Sequence, residues 1–150
     1  MKNIFTIILA LFVGFLISFY IFKQYDSKEN IKTVFSDTYK LNFFQYGVYS
    51  SEESMKENTS SLNYYIYNVI DNKYYVYIGI TKKENTTEKI KGYFTDLGYD
   101  VYVKQMIISD TTFVTALEQY EILLENTEDK NTIKTIISQI LSEYEELKNE

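Results

Sequence analysis

The sequence predicts an α+β fold: a four-stranded antiparallel sheet backed by two helices, preceded by one transmembrane helix and followed by an α-helical hairpin. Residues 4–22 are predominantly apolar and carry no charge. Between residues 39 and 108, stretches rich in aromatic and β-branched residues alternate with two polar stretches that begin with helix-capping residues. Residues 111–149 carry apolar side chains at the three- and four-residue spacings of amphipathic helices.

The N-terminal run has the length of a membrane span. As a helix, residues 4–22 would be about 28 Å long, close to the roughly 30 Å hydrocarbon core of a bilayer. A cleaved signal peptide has an apolar region of about 7–15 residues and a small-x-small cleavage site, and this run does not end in such a site. We therefore predict an uncleaved anchor over residues 1–23 and a juxtamembrane linker over residues 24–38. Lysines lie on both sides of the run, so charge alone does not set its orientation.

The rest of the chain is acidic and lacks the usual catalytic side chains. Two of the 15 basic residues precede residue 24, which leaves 13 lysines against 21 acidic residues and a net charge of −8. Such a charge disfavours binding to nucleic acid. The absence of Cys and His excludes disulfides, thiolate ligands and the commonest general base, and no loop has Ca²⁺-ligand spacing. We expect no enzymatic activity, no metal site and no cofactor.

The middle of the chain alternates strands and helices. The predicted order is strand 39–49, helix 51–62, strand 64–70, strand 74–80, helix 83–97 and strand 99–108. Ser50-Ser51 before Glu53, and Thr81 before Glu84, resemble capping boxes. Asp71-Asn72-Lys73 predicts a hairpin turn, and Gly98 a helix stop. This βαββαβ order predicts a split β-α-β domain over residues 39–109, a topology that RNA-recognition folds share.

The C-terminal residues 110–150 predict a helical hairpin. Two apolar stripes flank the polar residues 127–130: Phe113, Leu117, Tyr120 and Leu124, then Ile133, Ile136, Ile137, Ile140, Leu141, Tyr144 and Leu147. The hairpin either packs on itself or on the sheet domain, or forms a coiled-coil or partner-binding arm.

Strand alternation divides the sheet into a core face and an open face, because successive side chains point to opposite sides. The residues predicted to face the core are Phe44, Tyr46, Val48, Val76, Ile78, Ile80, Val101 and Val103. The predicted open face carries Phe43, Gln45, Gly47, Tyr75, Tyr77, Gly79, Tyr102 and Lys104.

Three motifs in this frame resemble a known family. Residues 45–51 read Gln-Tyr-Gly-Val-Tyr-Ser-Ser, and residues 74–81 are aromatic-rich and end in Gly-Ile-Thr. Residues 94–99 read Phe-Thr-Asp-Leu-Gly-Tyr. In this order they resemble the SPOR domain, the peptidoglycan-binding module of bacterial cell-division and sporulation proteins. The resemblance covers residues 41–108. The first predicted helix, residues 51–62, departs from the family pattern at Met55, Asn58 and Thr59, where the family usually has alanines. The C-terminal hairpin also lies outside the family pattern.

The resemblance implies a membrane-anchored protein that binds peptidoglycan glycan strands in cell division or sporulation, without catalysis. It also implies a single-pass topology with a cytoplasmic N-terminus and an extracytoplasmic domain at the cell wall. Tyrosine rings stack on sugar C–H faces, and amide and hydroxyl groups bond to sugar hydroxyls. The expected ligand-binding residues are Gln45, Gly47, Ser50, Tyr75, Tyr77, Tyr102 and Lys104. The alternative is a structural membrane protein that binds a protein partner through the βαββαβ domain and the C-terminal helices, with the hairpin covering Phe43, Tyr75 and Tyr77.

Overall fold

The structure, a computed structural model, describes residues 37–149, with only the backbone of Asn149. The predicted anchor and nearly all of the predicted linker lie outside the described residues. Within residues 37–149, no helix has both the length and the apolar character needed to cross a membrane.

The described residues form an α+β fold, as predicted. In chain order the elements are β1 (Tyr39–Tyr49), α1 (Glu52–Thr59), β2 (Ile66–Ile70), β3 (Lys73–Thr81), α2 (Glu84–Asp96), β4 (Tyr102–Ile108), α3 (Thr111–Glu125) and α4 (Lys130–Asn149). The four strands form one antiparallel sheet in the order β2-β3-β1-β4. β1 and β3 are therefore central, and β2 and β4 are the edge strands.

Local residue choices explain several of the turns and helix ends. Asp71 and Asn72 both have positive φ, 50° and 58°, as the two-residue turn between twisted hairpin strands requires. Ser51 begins α1 by accepting a 3.2 Å hydrogen bond from the Ser54 amide.

The C-terminus of α2 is a Schellman motif. Gly98 has φ +79°, and its amide donates to the Thr95 carbonyl at 2.9 Å. The Tyr99 amide donates to the Phe94 carbonyl, also at 2.9 Å. The predicted stop at Gly98 is confirmed.

The N-terminus of α2 differs from the prediction. Thr81 stays in β3 and does not cap the helix; Lys83 is the N-cap residue, and its side chain makes no capping bond. The Thr87 hydroxyl donates to the Lys83 carbonyl at 2.8 Å, so it accepts from Thr81, 2.6 Å away, and from the Asn42 amide at 3.0 Å. This buried network commits the Thr81 hydroxyl to the core.

One face of the sheet, the α2 face, packs against α2. Phe44 of β1 makes an edge-to-face contact with Phe94 of α2, with ring centroids 5.5 Å apart. Tyr46 makes the same kind of contact with Tyr99 at 5.6 Å. Phe44 is fully buried and Phe94 nearly so, so these rings belong to the core.

The opposite face, the α4 face, is partly covered by the C-terminal hairpin. Tyr144 of α4 lies against Phe43 of β1, with centroids 5.2 Å apart, and against Phe113 of α3 at 5.3 Å. α4 packs against both β3 and α3. The hairpin therefore docks on the sheet instead of standing free as an arm. The expectation of an uncovered face is wrong for the part that contains Phe43.

Candidate functional site: a half-covered sheet face

The strand register places most of the predicted site residues on the α4 face. Directly paired residues of antiparallel strands share a face. Phe43 pairs with Lys104, and Gln45 pairs with both Tyr102 and Tyr77. Since Phe43 contacts α4, this group lies on the same side of the sheet as the hairpin.

The hairpin removes Tyr77 from the candidate site. The Tyr77 side chain is fully buried, as is Phe43, and the two rings make an edge contact with centroids 5.5 Å apart. The Tyr77 hydroxyl has no hydrogen-bond partner among the described residues. Burial, with the nearby phenol of Tyr144 as a smaller cause, raises the pKa of Tyr77. The prediction of Tyr77 as an accessible ligand contact is wrong, because the apolar stripe of α4 required a partner surface and found it here.

Four predicted residues remain together on the part of the α4 face that the hairpin leaves accessible. We call Gln45, Tyr75, Tyr102 and Lys104 the uncovered half. Tyr102 is 68% exposed, and the other three are half-buried. The Lys104 ammonium lies 5.2 Å from the centroid of the Tyr75 ring, a cation–π contact that ties β4 to β3 across β1. Three adjacent strands span about 10 Å, which is room for a short stretch of an extended ligand.

Irregular pairing between β1 and β3 moves two other predicted residues. The register shifts between Gln45 and Gly47, so that Gly47 pairs with Val76 and Val48 pairs with Tyr75. A Cβ atom at Gly47 would lie 2.5 Å from the Tyr49 hydroxyl oxygen, so this glycine is covered by Tyr49 and offers no shallow surface. Val48, predicted in the core, is 41% exposed beside Tyr75. Both errors follow from the extra β1 residue, which reverses the alternation.

A second shift, between Phe43 and Gln45, moves Gly79 to the α2 face. A Cβ atom there would lie 3.2 Å from ring atoms of Phe44 and of Phe94. Ile80, predicted to face the helices, pairs with Phe43 and so lies on the α4 face. Gly79 thus allows Phe44 and Phe94 to approach the sheet backbone closely, and it belongs to the core.

The remaining predicted residue, Ser50, is exposed just beyond the end of β1. None of the contacts described for residues 37–149 brings it to the uncovered half. Its neighbour Ser51 has the structural task of capping α1.

Sequence reasoning did not predict the contacts that fix the hairpin to the domain. The side chain of Glu121 in α3 is fully buried. Its Oε1 atom accepts from the backbone amides of Lys82 and Lys83, at 2.6 and 2.9 Å, immediately before α2. Its Oε2 atom has no hydrogen-bond partner within residues 37–149. A carboxylate here complements the positive end of the α2 dipole, and its bonds satisfy the amides of the N-cap residue Lys83 and of Lys82 before it.

Two ion pairs flank this contact. Glu118 pairs with the Lys82 ammonium, whose hydrogen bond is the main cause that lowers the pKa of Glu118. Glu125 pairs with Lys83 at 3.2 Å and also accepts from Asn85, and the Lys83 bond is the main cause of its lowered pKa. The only sequence signal for these contacts is the acidic spacing of three and four residues on α3, which does not identify the partner.

Geometry gives no metal centre in the described part of the chain, where no group of three or more carboxylates is placed to hold an ion. Comparison with known proteins found no matching family model, no matching curated protein and no matching solved structure. The candidate site therefore rests on the register, burial and ring contacts given above.

Proposed function

We propose that this protein is a single-pass, membrane-anchored and non-enzymatic binding protein of the bacterial cell wall. Residues 4–22 anchor it, the N-terminus is cytoplasmic, and the βαββαβ domain with its hairpin is extracytoplasmic. The ligand is a glycan strand of peptidoglycan, bound in the context of cell division or sporulation. The length of the apolar run and the three SPOR-like motifs support this proposal.

The observation that supports the glycan proposal most is that four of the predicted ligand-binding residues lie together in the uncovered half, where they stay accessible. Tyr102 offers the most exposed ring of the cluster for stacking on a pyranose. Lys104 already occupies one side of the Tyr75 ring, so its ammonium is held in place to donate to a sugar or N-acetyl oxygen. Gln45, between them on β1, supplies both an amide donor and an acceptor. The bound stretch is short, because α4 blocks extension across Phe43 and Tyr77.

Co-sedimentation of the detergent-solubilised full chain with purified peptidoglycan tests this proposal. It should be run with and without amidase treatment, which strips the stem peptides and leaves the glycan. Retention is expected on both forms. Tyr102→Ala should weaken it by about fivefold or more, since truncation of a contact aromatic costs more than about 1 kcal/mol.

Tyr67→Ala is the matched control. Tyr67 is also exposed, at 38%, but it pairs with Val76 and lies on the opposite face of the sheet. Equal losses for the two variants, or no retention of the wild type on either form, would rule out the proposed site.

A second candidate is protein–protein assembly at the membrane, with the C-terminal helices as part of the binding surface. It is favoured by the burial of Phe43 and Tyr77 beneath α4, since a covered sheet face is what a purely structural domain requires. A fluorescent fusion in dividing cells separates the two candidates. Septal enrichment that Gln45→Ala abolishes supports glycan binding, whereas a uniform membrane signal supports assembly.

Nucleic acid is not a proposed ligand, although RNA-recognition folds share this topology. The net charge of −8 after residue 23 opposes binding to phosphates. Retention of the chain on single-stranded RNA at physiological salt would contradict this.

A further inference from the structure

The two edge strands of the sheet are protected very differently. At the β2 edge, the Lys148 ammonium of α4 donates to the Tyr67 carbonyl at 2.9 Å and to the Asn68 side chain at 2.6 Å. Covering a sheet edge with a helix discourages its pairing with another chain, and here a lysine of that helix occupies a carbonyl of the edge strand. The hairpin thus blocks β2 as well as covering part of the sheet face.

Within residues 37–149, β4 has no comparable protection. In the described part of the chain it pairs with β1 alone, so one edge of its seven residues is free. Its single charged residue, Lys104, turns inward over β1 to the Tyr75 ring instead of shielding the edge. Tyr102 and Ile107, near the two ends of β4, are 68% and 67% exposed. A long, apolar edge of this kind is a template for strand addition.

The β4 sequence is complementary to itself about Gln105. If two copies pair antiparallel with Gln105 opposite its own equivalent, Val103 faces Ile107 of the other copy. On the other face of the sheet, Lys104 faces Met106 and Tyr102 faces Ile108. Every apolar residue then meets an apolar residue or an aliphatic stem, and no like charges are opposed. The pairing covers Ile107, which is an exposed apolar side chain of β4 on the α2 face.

We propose that β4 is a homodimerisation edge, at which two copies of this chain join their sheets into one eight-stranded antiparallel sheet with the two-fold axis at Gln105. The occupant is a second copy, because the register pairs every β4 residue without a charge clash. This inference goes beyond the glycan proposal and does not depend on it.

The absence of native cysteine makes a register-specific test direct. Gln105→Cys in the full chain, reconstituted in lipid vesicles without any cell-wall material, brings two thiols together at the axis. Directly opposed residues have Cα atoms about 4.5–5.5 Å apart, within the roughly 4.4–6.8 Å range of disulfides. Mild oxidation should convert most of the protein into a dimer that reductant dissolves.

Val69→Cys is the matched control. Val69 is 54% exposed on the other edge strand and reports random collisions in the bilayer, so it should cross-link several-fold less. A dimer yield no higher for Gln105→Cys than for Val69→Cys would overturn the proposal.

A second variant checks that cross-linking depends on the β4 edge itself. Ile107→Glu, added to Gln105→Cys, places a carboxylate opposite Val103 of the other copy, while within one chain it sits opposite Lys40, a favourable neighbour. We expect several-fold less dimer with an unchanged circular dichroism spectrum. An undiminished dimer yield would refute β4 pairing. Because the assay contains no peptidoglycan, its outcome is independent of the glycan proposal.

Discussion

Replacement of Tyr77 by Phe should stabilise the protein. The Tyr77 hydroxyl is buried without a hydrogen-bond partner among the described residues. An unsatisfied buried polar group destabilises the folded state by about 1–3 kcal/mol, and removing the oxygen returns most of this. The small void that remains reduces the gain by a few tenths of a kcal/mol. The net expectation for Tyr77→Phe is about 1–2 kcal/mol of added stability, or roughly 4 °C in Tm for each kcal/mol.

The pH dependence of this variant provides a second measurement. Burial raises the pKa of Tyr77, so the folded state favours the neutral phenol. Its unfolded pKa is about 10, so wild-type stability is intact below pH 10 and declines as pH rises through the folded-state pKa. Tyr77→Phe has no phenol at this position. The stability difference between variant and wild type should therefore widen above pH 10.

Urea unfolding at pH 7 and at pH 11, followed by near-ultraviolet circular dichroism, measures both effects. Tyr102→Phe is the control, since Tyr102 is 68% exposed and its hydroxyl is solvated; its change should stay within about 0.5 kcal/mol. A Tyr77→Phe protein that is less stable than wild type would refute the reasoning. So would a stability difference that stays constant from pH 7 to pH 11.

Two further predictions concern the junctions around α2. Glu121→Ala should lower the free energy of unfolding by about 3–5 kcal/mol, since two charge-assisted hydrogen bonds are lost. It should also speed hydrogen exchange at the Lys82 and Lys83 amides. Unchanged protection of these amides would contradict the role given to Glu121. Glu121→Gln keeps an acceptor oxygen and should cost less. Gly98→Ala should destabilise by about 1 kcal/mol, because Gly98 has φ +79°. Gly92→Ala is its control in thermal unfolding, because Gly92 is exposed within α2 and alanine should stabilise the protein by up to about 1 kcal/mol there. If the two substitutions changed the stability in the same direction, the argument would be refuted.

Local pattern predicted the elements of the βαββαβ order well, because their signals are local. Strand β1 begins and ends at the predicted residues, and the predicted helix stop at Gly98 is present. The largest boundary differences are at the end of α1 and the start of β4, three residues each, and at the start of β2, two residues. Ser51 and Gly98 act through hydrogen bonds to residues within five positions, which a sequence displays directly.

The faces of the sheet were harder to predict, because alternation holds only while pairing is regular. Two register shifts between β1 and β3 reverse the sides of Gly79 and Val48. Gly47 and Gly79, isolated glycines within strands, are the sequence signal for such irregularities, but they do not give the position of the extra residue. The burial of Phe43 and Tyr77 agrees with the alternative in which the hairpin covers this face, whose sequence signal is the apolar stripe of residues 133–147, whereas Tyr75 stays half-buried. A long-range contact such as that of Glu121 with the Lys82 amide depends on how the hairpin docks, and no spacing rule gives that.

The two proposals together predict an effect that neither predicts alone. A two-fold axis normal to the sheet keeps both α4 faces on one side, so a β4-paired dimer presents two uncovered halves to the same wall. Gln105 pairs with Asn42 on the α2 face, away from Tyr102, so Gln105→Lys leaves the glycan site intact and opposes two like charges at the axis. If glycan binding is bivalent, this variant should be retained less well on peptidoglycan, because the second contact loses its effective concentration. Retention equal to wild type in a variant shown to be monomeric would mean that each half binds alone, and that pairing at β4 serves something other than wall affinity.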